Sequence, residues 1–188
     1  GNGDHCIRLY VDGELKDSDD CLVQGKTRDR VDVGGTSGNK FGASYSGVTR
    51  FFNGTMDAVR LWNYSLTVSE IQAEMDSARP LKTSNLIGSW EFENGAGSTA
   101  YDTNPWATGH VDDIALGFDG VDDGREEYVL IDPFVFPQDD YTISAWAKPA
   151  RIVTNHLVQS DNWDYWLWLN GTGHWNYYAY NTSDDLIA

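Results

Sequence analysis

The stretch Phe52-Asn-Gly-Thr-Met-Asp-Ala-Val-Arg-Leu-Trp-Asn-Tyr-Ser-Leu-Thr-Val-Ser-Glu70 limits the folds open to this chain more than any other. From Met56 to Trp62 apolar and polar residues alternate, the pattern of a half-buried β-strand. Asn63-Tyr-Ser turns the chain, and Thr67-x-x-Glu70 is a capping box that opens a short helix reaching about Met75. Nineteen glycines and 13% aromatic residues, with few long apolar runs, extend this to an all-β chain rich in turns. At 188 residues there is room for one large β-sandwich or two very small domains.

A net charge of −16 opposes binding to nucleic acid, whose phosphates would be repelled. An acidic surface suits calcium, a hard cation that takes carboxylate and carbonyl oxygens, but it also serves solubility alone. No run approaches the ~20 apolar residues of a membrane-spanning helix. The sequence opens at Gly1 with no signal-peptide pattern, as expected of a mature or cut form.

Cys6 and Cys21 flank a hairpin expected to turn at Asp12-Gly13 in type I′ geometry. They fall on the same face, two residues out of line, and a bulge or loosened end would let them join as a disulfide. That bond implies an oxidising compartment. The N-glycosylation sequons at Asn53, Asn63, Asn170 and Asn181 point to the same setting, each at an expected turn or strand end.

Several motifs together resemble laminin G-like domains of the concanavalin A-like lectin/glucanase superfamily. Gly54-x-x-Asp57-x-Val-Arg-Leu-Trp62 with the helix after it resembles the closing segment of such a domain. Leu9-Tyr-Val-Asp-Gly-Glu-Leu15 and Val31-Asp-Val-Gly-Gly35 resemble strands that precede it, with a glycine- and serine-rich loop from Gly34 to Gly47. Leu86-Ile-Gly-Ser-Trp-Glu-Phe-Glu93, Ala115-Leu-Gly-Phe-Asp119, Glu127-Tyr-Val-Leu-Ile131 and Tyr141-Thr-Ile-Ser-Ala-Trp-Ala-Lys148 resemble opening strands, continued by His156–Ser160 and Tyr165–Leu169. The resemblance implies an antiparallel β-sandwich, a concanavalin A-like jelly roll, with one short helix.

The order of the halves is inverted. Residues 1–77 resemble a closing half, 78–85 read as a linker, and 86–188 resemble an opening half. Either the chain is a permuted sandwich or it is a window across two tandem domains whose halves pair with other copies of the chain. Middle strands missing from the permuted alternative favour pairing between copies. In both cases the strand Met56–Trp62 is expected beside one at Leu86–Glu93.

The aromatic run Trp163–Tyr180 is the main candidate for a binding surface. Alternation places Trp166 and Trp168 on one face and Tyr165, Leu167 and Leu169 on the other. A sandwich strand has one core face, so the second aromatic face needs a cover: a loop, a partner, or a carbohydrate stacked on Trp166, Trp168, Trp175 and Tyr178. Asp57 and Asp102 are expected to meet if the first and last strands are neighbours, and such a pair would take a cation such as calcium, although both also serve as turn formers. The glucanase pattern Glu-x-Asp-x-x-Glu, which supplies two carboxylates for glycoside hydrolysis, is absent; Glu91-Phe-Glu93 is the nearest and lies on the wrong strand. The expected function is therefore a non-catalytic extracellular module for glycan binding or adhesion within a repetitive assembly, with a filament repeat or a degenerate hydrolase as alternatives.

Overall fold

A computed structural model describes residues 8–18, 39–43, 50–92, 116–121, 128–131, 141–159 and 165–179. They form eleven strands and one helix in an antiparallel β-sandwich. The elements are β1 (Arg8–Val11), β2 (Glu14–Ser18), β3 (Asn39–Phe41), β4 (Asn53–Trp62), α1 (Val68–Met75), β5 (Leu86–Trp90), β6 (Leu116–Asp119), β7 (Val129–Ile131), β8 (Thr142–Pro149), β9 (Asn155–Gln159), β10 (Tyr165–Leu169) and β11 (Trp175–Ala179). None of the described helices is long and apolar enough to cross a membrane.

One sheet runs β11-β10-β9-β3-β7; the other has β4 at its centre, with β5 and β6 along one edge and β8 along the opposite edge. Phe41, Leu157 and Val158 from the first sheet and Met56, Val59, Leu61 and Phe118 from the second share one core. Phe41 and Trp90 bridge the layers edge to face, with ring centroids 5.2 Å apart.

Both sheets draw strands from both sides of the 78–85 segment. The strand beside Met56–Trp62 is Leu86–Trp90 of the same chain, in the register Val59↔Trp90 and Leu61↔Gly88. β3 likewise sits between β7 and β9. Within this single chain, strands from the two parts of the sequence thus pair with each other.

Two local features depart from the sequence pattern. The register of β4 against β8 shifts between Asp57 and Arg60, where Ala58 adopts φ 47°. This bulge brings Met56, Val59 and Leu61 onto the core face and turns Arg60 and Trp62 to the other. The outer side of this half of β4 is covered as well, so every residue from Ala58 to Trp62 is buried, and the expected half-buried alternation does not hold there. The second departure is β3, which falls within the expected glycine- and serine-rich loop. Three residues are too few to show a period, and Phe41 alone anchors the strand to the core.

Other expectations hold. Asp12 and Gly13 both have positive φ, as a type I′ turn requires, and Gln72 of α1 donates to the Gly13 carbonyl, docking the hairpin on the helix. Thr67 caps α1: its hydroxyl accepts from the Glu70 N–H while the Glu70 carboxylate accepts from the Thr67 N–H. That Thr67 N–H, with Lys82 and the Thr67 hydroxyl, holds the Glu70 carboxyl down at about 2. Replacing Thr67 by alanine is expected to cost about 1 kcal/mol, the usual worth of an N-cap, read as a lowered denaturant midpoint with an unchanged slope.

Candidate functional site

The outer face of the five-stranded sheet gathers the most varied chemistry among the described residues. Its composition follows from a register slip. β9 and β10 pair as Leu167↔Val158 and then Trp168↔His156, so Leu157 is an extra residue on β9. Without that bulge His156 and Gln159 would point to opposite faces. With it, Gln159 lies opposite Trp166 and His156 opposite Trp168, and all four share one face. Lys40 lies across from Gln159 on the other side of β9. On the far edge Tyr178 stands opposite Trp166 and Asn176 opposite Trp168.

Trp166 and Trp168 are half-buried, whereas Lys40, His156 and Gln159 on the neighbouring strands of the same face are buried. The Lys40 ammonium lies 5.6 Å from the centre of the Tyr128 ring, within cation–π range. The His156 and Trp168 rings are 6.2 Å apart and tilted. Burial lowers the His156 imidazole to about 4, against a hydrogen bond to Gln159 that raises it, while the Arg50 charge lowers it further. His156 is therefore neutral near pH 7. Its Nδ1 meets the Gln159 Oε1, an acceptor, so in the neutral ring Nδ1 carries the proton and Nε2 is the acceptor nitrogen. The Gln159 Nε2 is buried with no hydrogen-bond partner. A donor in that state is costly unless something completes it.

The expected aromatic set is divided by this geometry. Trp166 and Trp168 share the outer face, and Tyr178 is paired with Trp166 in the register. Trp175 pairs with Leu169 and packs against the core, together with Tyr177. In an antiparallel hairpin, partners share a face, and the Leu169 face is the core face. Tyr141, buried against Tyr177, is pushed up to about 12 by desolvation, and the two hydroxyls are bonded. Sequence reading missed Lys40, His156 and Gln159 because nothing local marks the bulge that assembles them.

The remaining candidates separate as follows. Asp57 is half-buried at the β4 bulge, where its Oδ1 accepts from the Ala58 N–H at 2.7 Å. Its expected partner Asp102 lies outside the described residues, as do Cys6, Cys21 and Asn181. Among the described residues no group of three or more His, Cys, Asp or Glu gathers to hold a metal ion. Asn53 opens β4, with its amide nitrogen donating to the Asp119 carbonyl. Asn63 is exposed directly after β4. Asn170 sits at the β10–β11 turn, its Oδ1 accepting from the Thr172 N–H, the Thr172 hydroxyl and the His174 N–H.

Residues 1–72 match the laminin G family model described as the concanavalin A-like lectin/glucanases superfamily. No curated protein and no solved structure matches the chain significantly.

Proposed function

We propose that this lectin-like sandwich is a non-catalytic extracellular module that binds a glycan through the outer face of its five-stranded sheet. The reading is carried by one observation: Trp166 and Trp168, two residues apart, lie half-exposed on the side of β10 that does not face the core. Flat indole faces match the C–H faces of sugar rings, and the rim of each ring still tolerates water. The described strand residues of this face include no carboxylate, and glycoside hydrolysis in its usual form needs two. Adhesion follows if the glycan sits on another cell or matrix molecule.

The test is a glycan array with the wild-type chain and the Trp166→Ala/Trp168→Ala variant. Each stacked aromatic contributes about 0.5–1.5 kcal/mol beyond its buried area, so the double variant is expected to bind roughly tenfold more weakly or worse. Its circular dichroism and thermal midpoint are checked alongside. A wild-type chain that binds no glycan, or a folded double variant that binds as tightly as wild type, would refute the reading.

A further inference from the structure

The outer face of the four-stranded sheet carries a second pattern, at the Asn53-Gly-Thr sequon. β4 enters this sheet with Asn53, Thr55 and Asp57 on its outer side, while Gly54 and Met56 are buried. Thr55 is exposed and pairs with Gly117 on one side and Lys148 on the other. A depression of about 420 Å³ lies here, lined by Gly54, Thr55, Gly117, Phe118, Asp119 and Ala150. Gly117 lies in its lining, and a β-carbon added there would meet nothing within 4 Å. Further along the same face Trp146 stands opposite Asp57 with 47% of its surface exposed. From Asn53 to Asp57 the strand rises ~13 Å, the length of a short run of linked sugar rings.

We propose that Asn53 is N-glycosylated and that the inner sugars of its glycan lie in this depression and stack on Trp146. In the modification, the Asn53 amide nitrogen attacks C1 of a lipid-linked oligosaccharide diphosphate. The N–C bond forms, the C–O bond to the diphosphate breaks, and the amide loses one proton as the lipid diphosphate departs. The substituted amide keeps one N–H, enough to maintain its bond to the Asp119 carbonyl, and that bond directs the glycan along the sheet. An attached glycan fits this surface better than a free one. The depression is shallow and begins at the acceptor residue, so tethering supplies the local concentration that a weak stacking site lacks. The inference uses the secretory setting of the proposed function and none of its glycan-binding face.

The experiment secretes the full chain from a eukaryotic host and follows release of each glycan by a peptide N-glycosidase, with glycopeptide mass spectrometry. Asn63, exposed and on a turn, is the internal reference. Native release at Asn53 is expected to be about tenfold slower than at Asn63, with the two equal after denaturation. Trp146→Ala removes the stacking partner, and Gly117→Leu plugs the depression where the structure has free space. Either variant should speed Asn53 release towards the Asn63 rate. The proposal is overturned if Asn53 is unmodified, if its glycan leaves as fast as that on Asn63, or if slow release survives both substitutions. Loss of array binding in the Trp166/Trp168 variant leaves this result untouched, so the two readings fail separately.

Discussion

Replacing Arg60 by alanine is expected to destabilise the sandwich by about 3–5 kcal/mol, the cost of leaving buried carboxylates without their cation. Arg60 is only 2% exposed. Its guanidinium grips Glu91 with two bonds, Nε to Oε1 and Nη2 to Oε2, each 2.9 Å. Nη1 reaches the Glu74 carboxylate at 3.2 Å and Nη2 the Ser77 carbonyl at 3.1 Å. Glu74 in turn accepts from the Leu81 and Lys82 N–H groups, and Ser89 donates to Glu91. One side chain on β4 thus ties together α1, the segment after it and the end of β5. These are the pieces that must meet if the two parts of the chain close on each other. Arg60→Lys should fail almost as badly, because an ammonium cannot make the two-pronged bond. Pairing Arg60→Ala with Glu91→Gln should recover part of the loss by removing one stranded charge. Chemical denaturation of the three variants reads all of this. An Arg60→Ala midpoint close to wild type would show that the network closes nothing.

How much of this was legible in the sequence depends on how local each determinant is. The strands from Leu86 to Leu169 and the α1 capping box were visible because their signals lie within a few consecutive residues. The Arg60–Glu91 pair was not, since its partners are 31 positions apart and neither has a local signature. Bulges caused the other differences. The shift at Asp57–Arg60 moves Arg60 and Trp62 off the core face, and the extra Leu157 brings His156 and Gln159 onto the face of the tryptophans. Alternation correctly separated Trp166 and Trp168 from Leu167 and Leu169. It could not place Trp175, because a residue across a turn takes its face from the register of the hairpin and not from its own composition. The adjacency of Met56–Trp62 and the strand at Leu86 was legible from the family resemblance, while its register required coordinates.

Acidification is expected to remove about 3 kcal/mol of stability through His156 alone. Unfolded, the imidazole titrates near 6.5; folded, burial lowers it to about 4, and that drop corresponds to about 3 kcal/mol. The sign follows from which form the fold prefers. The folded chain prefers the neutral ring, so the unfolded chain binds the proton first as pH falls. The full contribution is present above pH ~6.5, declines as pH drops towards ~4, and is absent below it. Other groups titrate in the same window, so the His156 share is isolated by comparison with His156→Gln. The variant loses the ring's packing against Trp168 and starts less stable at neutral pH. It lacks the proton-linked loss, so the gap to wild type should narrow as pH falls from 7 to 4 and nearly close at the acid end. Glu70 does not confuse the comparison, since both chains carry it and its own proton-linked loss is common to the two curves. Urea midpoints at half-unit pH steps give both curves. Parallel curves would mean that the folded ring takes up a proton as easily as the unfolded one. His156 and Gln159, beside the tryptophans on the adjacent strand, would then be open to water and not desolvated as their burial describes.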